Sequence, residues 1–233
     1  MRLSIIVPVF LEEKTISNTL DEIEKKVKTP HEILVVYDIR EDPTVVVVKE
    51  YIKNNKQSVI KLVQNSFGDG RGVVNAVRTG FKEMKGGAAV VVMADLSDDL
   101  RVIDTMFRNI EKGDDIVCGS RYMKGGRVIG GPFIKKNLSR LAGLTAHYFF
   151  KVPTHDITNA FKMYKKAVVD DIKLESTGGF EYNFEIVAKA FKKGYKITEV
   201  PATWRDRTEG KSKFKLLKWL PKYIKWYIYL LKK

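Results

Sequence analysis

A mostly parallel, doubly wound α/β sheet with a helical C-terminal tail is what this 233-residue sequence predicts. Two observations carry that expectation. Short apolar runs alternate with segments of helical periodicity from the start of the chain to about residue 120, which is the pattern of successive βα units. The run at 88–94 (AAVVVMA) is apolar at every position, as a strand covered on both faces must be. Hydrophobic residues make up 44% of the chain, enough for a sizeable core, and there is no repeat, low-complexity stretch or linker that would divide it.

The elements follow in order. Leu3–Val9 is a buried strand ended by Pro8-Val9-Phe10. Ile16, Leu20, Ile23 and Val27 recur at helical spacing. A second strand, 33–36, stops at Tyr37-Asp38, and Pro43 suits the first turn of a helix running towards Asn54. Residues 59–63 form a third strand and 68–72 a glycine-rich loop. Val73, Val77 and Phe81, with Ala76 and Gly80, give the next helical face. The fourth strand is 88–94, a helix covers 98–112, and the fifth strand is 116–119. Right-handed crossovers put the loops after parallel strands on one edge. Asp38, Asp95 and Arg121 are therefore expected along that edge, where open α/β sheets bind ligands. After residue 120 come a glycine-rich loop (125–131), a helix near 135–150, a polar segment (153–162), a helix near 181–193, a strand (196–200) and a basic loop.

The formal net charge is +14, and residues 205–233 carry +8 of it. Such a tail implies an anionic partner: phosphate, nucleic acid or an anionic membrane surface. The chain has no helix-turn-helix signature, zinc-ligand spacing or aromatic sheet motif, so nucleic acid is not the expected partner. The single cysteine, Cys118, excludes an intramolecular disulfide and fits a reducing compartment. No apolar stretch has the length of a membrane span, and Met1-Arg2 leads straight into a strand, so neither a signal peptide nor an anchor is expected. His31, His147 and His155 lack metal-ligand spacing.

Several segments offer chemistry, each beside a plainer reading. In Val117-Cys118-Gly119-Ser120-Arg121-Tyr122-Met123-Lys124-Gly125-Gly126 an arginine follows a strand end, where its fork of donors suits a phosphate; a β-turn with a solvated arginine is the alternative. Pro8-Val9-Phe10-Leu11-Glu12-Glu13 reads equally as a strand end before an acidic helix N-terminus. Asp38 can accept hydrogen bonds from a base or ribose, or serve a turn. Gly70-Arg71-Gly72 permits a tight turn, but no acidic residue completes a dinucleotide fingerprint. Asp95 and Ser97 offer hard oxygens for Mg²⁺ or Mn²⁺. Asp98 and Asp99 have the plain role of helix N-terminal residues. Arg207, Ser212 and Lys213 put guanidinium, hydroxyl and ammonium donors in one loop, a set able to clamp two phosphates. In the tail, Lys215, Lys218, Lys222 and Lys225 share one helical face, and Pro221 is expected to break or kink the helix. A helix lying at an anionic interface and a helix packed on its own domain both remain open.

Taken together, residues 3–214 resemble the polyprenyl-phosphate sugar transferases of the family-2 glycosyltransferases. The segment 119–126 is similar to "GSRY-x-x-GG", and 206–213, after Val200-Pro201, to "D-R-x-x-G-x-S-K". Weaker likenesses are "P-x-Y-N-E" (here with Phe10 and Leu11), "V-V-D-D" (Tyr37 for the first aspartate), G-x-G-x-x-x-A-x-x-x-G over 70–80, and "D-x-T-S-G-F-R-x-Y" (Ala160 and Lys162 substituted) with an acidic position at Glu185. "D-A-D-L-x" appears with Met93 in place of its first aspartate.

The resemblance implies a GT-A-like fold. It implies transfer of a sugar, mannose from GDP-mannose first, from a nucleotide diphosphate to a polyprenyl (dolichyl) phosphate at a membrane surface, with inversion. A UDP-sugar, another acceptor or a catalytically impaired regulatory homologue is the alternative. Asp95, Arg121, Arg207 and Lys213 would be catalytic. Pro8, Phe10, Glu12, Asp38, Gly70 and Ala94 would border the nucleotide, and Lys135, Lys136 and Ser212 the acceptor phosphate. Asp95 and Ser97 would hold Mg²⁺ or Mn²⁺. Residues 1–213 would then be the catalytic domain and 214–233 the tail. The protein would be peripheral on the cytoplasmic face of the membrane, and a separate membrane subunit remains open.

Overall fold

Nine strands and eight α-helices are present in a computed structural model that describes the chain except for residues 57–58, 69–70, 178, 207–215 and 233, with the backbone alone at 216–219. The strands are β1 (Leu3–Val9), β2 (His31–Tyr37), β3 (Ile60–Gln64), β4 (Ala88–Val91), β5 (Ile116–Ser120), β6 (Arg127–Ile129), β7 (Lys162–Lys165), β8 (Ile197–Pro201) and β9 (Thr203–Arg205). The helices are α1 (Ile16–Lys26), α2 (Pro43–Asn54), α3 (Val73–Glu83), α4 (Ile103–Glu111), α5 (Phe133–Phe150), α6 (Lys166–Asp171), α7 (Tyr182–Lys192) and α8 (Leu216–Leu231).

Seven strands form one sheet in the order β3-β2-β1-β4-β7-β5-β8, and β6 and β9 form a second, two-stranded parallel sheet. Within the large sheet only β7 runs against its neighbours. Alternate strand residues feed two cores. Ile5, Val7, Ile33 and Val35 meet α1, α2 and α4 on one face, while Ile6, Leu34 and Val36 meet α3, α7 and α8 on the other. That division follows from the two-residue repeat of a strand. Strand order reverses between β1 and β4, so the crevice at their carboxyl ends is the natural ligand site of such a sheet.

The expected βα alternation up to residue 120 is present, with three local differences. β4 ends at Val91 instead of running to residue 94. Its pairing with β1 stops at Ile6–Val91, and two residues later β1 has Pro8, which has no N–H to extend a ladder. The predicted 98–112 helix is divided into a 3-10 turn (Leu100–Val102) and α4, because Asp99 accepts from the Arg101 backbone N–H and caps the turn. The polar segment 153–162 leads into β7, which the sequence hides behind its two lysines. Lys162 is in fact fully buried, and its ammonium donates to the carbonyls of Ile157 and Asn159.

Pro221 does not break the tail, because α8 continues through it to Leu231. The missing N–H removes one helical bond, and tertiary packing supplies the compensation. Trp226 and Leu230 are buried in the core beside α7, and the Tyr227 hydroxyl bonds Thr145 (2.7 Å) and the Ala142 carbonyl on α5. The opposite face of α8 leaves Leu220, Ile224, Ile228 and Leu231 exposed. One face of the tail therefore packs on its own domain, and the other is open.

Candidate active site

A cavity of about 500 Å³ opens at the carboxyl end of the sheet. Its floor is the turn after β4 with Met93, Asp95, Ser97 and Asp98, and one wall is Arg121-Tyr122 after β5. The first turns of α5 (Lys135, Lys136, Leu138, Ser139) form another wall, and Leu220, Tyr223 and Ile224 of α8 close the far side. The cavity is thus acidic at one end and apolar at the other. The α5 N-terminus has no acidic residue in its first turn, so its dipole and two lysines add positive potential between those ends.

Arg121 lies in this wall, and its guanidinium is already engaged. Nε donates to Asp156 Oδ2 at 2.6 Å and Nη2 to Asp156 Oδ1 at 2.9 Å, a bidentate pair. Nη2 also reaches Ser139 Oγ (2.9 Å) and Thr158 Oγ1 (3.2 Å). Asp156 is completely buried and also accepts from the backbone N–H groups of Arg121 and Asn159. Arg121 is thus first a brace that joins the β5 loop, the 156–159 loop and α5. Gly126 makes this possible: a Cβ there would lie 2.3 Å from the Ser120 carbonyl, so only glycine lets the loop fold back on the strand end.

The acidic turn is tightly wound. The Ser97 N–H donates to Asp95 Oδ1 (3.1 Å), and Leu96 adopts φ +57°. Ser97 is buried, and its Oγ has no hydrogen-bond partner. Asp98 opens onto the cavity and is otherwise enclosed by protein. Burial first, and the neighbouring Asp95 charge second, push its carboxyl up to about 7. β9 abuts this turn through Arg205 N–H to Ser97 O (2.9 Å). Cys118 is buried beneath, its thiol pushed up to about 11 by burial, which makes it a poor nucleophile.

A second cavity of about 470 Å³ opens after β2 and β3 and includes Asp38, Arg40, Asn65 and Arg71. Asp38 accepts from Asn65 Nδ2 (2.9 Å) and the Gly72 N–H (2.8 Å), so it also organises the β3–α3 loop.

Asp95, Ser97, Arg121, Lys135 and Lys136 meet on the first cavity, and Asp38 lies further along the same edge. Pro8, Phe10, Glu12 and Ala94 line neither of these cavities. Pro8 is buried within β1, and the Ala94 carbonyl accepts from Thr19 Oγ1. Phe10 is exposed at the strand end, and the Glu12 carboxylate accepts from Thr15. Gly70, Arg207, Ser212 and Lys213 fall outside the described residues. Glu185 is buried, accepting from the N–H groups of Glu175 and Ser176 and from Lys189.

The family model for glycosyl transferase family 2 matches residues 4–173. The chain belongs to that family. Among curated relatives it is 32% identical to the dolichol-phosphate mannosyltransferase of Pyrococcus furiosus, an alignment covering 97% of this chain and 64% of the relative. The chain thus spans just under two thirds of that protein. It is 27% identical to the polyprenol monophosphomannose synthase of Mycolicibacterium smegmatis, covering 91% of this chain and 80% of that one. In fold it resembles the glucosyl-3-phosphoglycerate synthase of Mycobacterium tuberculosis, solved with Mn²⁺, UDP-glucose and phosphoglyceric acid. The TM-score is 0.69 at 13% identity, with 98% of this chain and 79% of that chain covered. The GT-A-like, mostly parallel sheet expected from the sequence is the fold observed.

Three residues of this family-2 site were not singled out from the sequence. Ser139 shares a helical face with Lys135, four residues earlier, which was a readable signal. Asp156 was visible only as part of a polar motif, since its partner lies 35 residues away. Asp98 looked like an ordinary helix-start residue, a role that Asp99 takes.

Proposed function

We propose that this chain transfers a sugar from a nucleoside diphosphate to a polyprenyl phosphate, with mannose from GDP-mannose the first donor to test. One observation carries the reading: a single cavity runs from Asp95 and Ser97, past the lysines and helix N-terminus of α5, to the apolar side chains Leu138, Leu141, Leu220 and Ile224. An anionic headgroup joined to an isoprenoid chain has that same polarity. Family membership and the two polyprenol-phosphate mannose relatives support it.

In the proposed reaction an oxygen of the acceptor phosphate attacks the anomeric carbon while the bond from that carbon to the diphosphate oxygen breaks, so configuration inverts. The acceptor phosphate carries its charge at neutral pH, with a second pKa near ~6, so it needs positioning and neutralisation more than a general base. Lys135, Lys136 and the α5 N-terminus would hold it, and Arg121 would fix the surrounding loops. Arg207, Ser212 and Lys213 would meet the phosphates where they crowd together. Asp38 would border the nucleoside. The buried, unpartnered Ser97 Oγ beside Asp95 fits a hard divalent cation. Mg²⁺ or Mn²⁺ held there would supply charge neutralisation to the leaving diphosphate.

The open apolar face of α8, with Phe133 and Phe149 exposed on α5, supports seating on an anionic membrane surface. No helix among the described residues is long and apolar enough to cross a membrane. The test is a transfer assay with GDP-mannose and a panel of UDP-sugars against a short polyprenyl phosphate. A labelled glycolipid is expected, and failure with every donor would refute the reading.

A further inference from the structure

Asp98 stands on the cavity wall with no task in the reaction described above. Its neighbour Asp99 caps the 3-10 turn, so the fold has no need of Asp98 there. It lines the same cavity as Met93, the position at which the turn lacks a carboxylate of its own. Residue 98 thus brings an anionic oxygen pair to the cavity lining that residue 93 shares. That charge is poorly compensated. Asp95 repels it, and the attracting cation, Arg121, is bound bidentately by Asp156. Between the two carboxylates in sequence is Ser97, 3% exposed, lining the same cavity with an Oγ that no group satisfies. Burying the Ser97 Oγ unpartnered is unfavourable, and a cation bound between the carboxylates would relieve it.

Resting on the donor reading above, we propose that Asp98 is the second carboxylate of the cation site, taking with Asp95 the place that Met93 leaves empty. The ligand is a hard divalent cation, Mg²⁺ or Mn²⁺, shared with a nucleoside diphosphate. Among the described residues there is no group of three or more His, Cys, Asp or Glu side chains able to hold a metal. Two carboxylates and a hydroxyl completed by substrate phosphates is the donor set such cations take in nucleotide sites. Met93, whose thioether is a soft ligand, would contribute nothing to a hard ion.

The experiment measures Mn²⁺ binding by calorimetry and by the Mn²⁺ electron-paramagnetic signal, with GDP or UDP present, on the full chain. Asp98→Asn should weaken Mn²⁺ binding by about 10-fold or more, since even losing an outer-sphere partner has that effect. Met93→Asp placed on the Asp98→Asn background should restore it, which a merely structural role for Asp98 would not allow. Asp98→Ser serves as a second variant, and thermal unfolding checks that each is folded. If Asp98→Asn and Asp98→Ser bind Mn²⁺ as tightly as the unaltered chain, the assignment of Asp98 is overturned while the transferase reading stands. If nucleotide binds but Mn²⁺ never changes its affinity, the assignment is likewise overturned. If neither nucleotide binds under any condition, this inference and the proposed function fall together.

Discussion

Removing Asp156 is expected to damage this protein more than removing any exposed carboxylate. Its side chain is completely buried and accepts from Arg121 Nε and Nη2, from the N–H groups of Arg121 and Asn159, and from the Thr158 hydroxyl. The Arg121 side chain is itself only 13% exposed. Asp156→Ala leaves that guanidinium buried and unpaired, a change that typically costs about 3–5 kcal/mol. For a chain of this size each kcal/mol corresponds to about 2–4 °C, so a fall in Tm of about 6–20 °C is expected. Asp156→Asn keeps the volume, but its NH₂ cannot accept, and it should lose a large part of the same energy. The decisive measurement is a double-mutant cycle by urea denaturation using Arg121→Met, Asp156→Asn and the pair together. The double variant should be less destabilised than the sum of the singles, by about 0.5–3 kcal/mol. Single losses below about 1 kcal/mol, or strict additivity, would refute the idea that this pair holds the site together.

Asp98→Asn should stabilise the metal-free protein at alkaline pH. The folded-state carboxyl is pushed up to about 7, so between about pH 4 and 7 the native state keeps a proton that the unfolded chain has released, and stability falls as pH rises through that window. The variant escapes the penalty, gaining about 2–4 kcal/mol at pH 8 and nothing near pH 4; parallel Tm profiles for the two proteins would rule this out. Gly143→Ala places a Cβ 2.0 Å from the His155 carbonyl oxygen, so it should push α5 off the 155–156 loop at about 1–3 kcal/mol, and unchanged urea stability would count against that packing. Ile224→Glu with Ile228→Glu changes the open face of α8 and leaves buried Trp226 alone; flotation with anionic liposomes should drop while Tm holds, and unaltered flotation would remove α8 from the membrane contact. Arg207→Ala and Lys213→Ala should lower transfer far more than donor affinity, because crowding of phosphates peaks in the transition state. Equal losses in both would make these residues ordinary binding contacts.

Where local pattern decides structure, the sequence was readable. The apolar runs of β1 and β2 and the helical spacing in α1 and α3 lie where their periodicity puts them. Pro43 opens α2 as its fixed φ favours. Reading failed where a distant partner decides. Lys162 looks solvated until Ile157 and Asn159 turn their carbonyls inward to meet it, which makes β7 possible. Pro221 looks like a helix stop until Trp226 and Leu230 are seen to anchor the segment. The residues of the first cavity come from more than six separate stretches, and Arg121 carries the clearest signal among them. Its engagement with Asp156, and the separation of Asp98 from Asp99 in role, depend on how loops fold over one another, which no spacing rule encodes.

The reversed strand β7 acts as a ruler. Adjacent strands lie about 4.8 Å apart, so one strand between β4 and β5 separates their ends by about 10 Å. Were β4 and β5 direct neighbours, Asp95 and Arg121 would emerge side by side and their opposite charges would close on each other. Held one strand apart, they line the same cavity, and Arg121 pairs instead with Asp156. Because β7 runs backwards, the segment that leads into it arrives at this same edge, carrying Asp156 and Thr158 to the guanidinium. A single inserted strand thus spaces β4 from β5 and delivers the carboxylate that holds the Arg121 guanidinium in place.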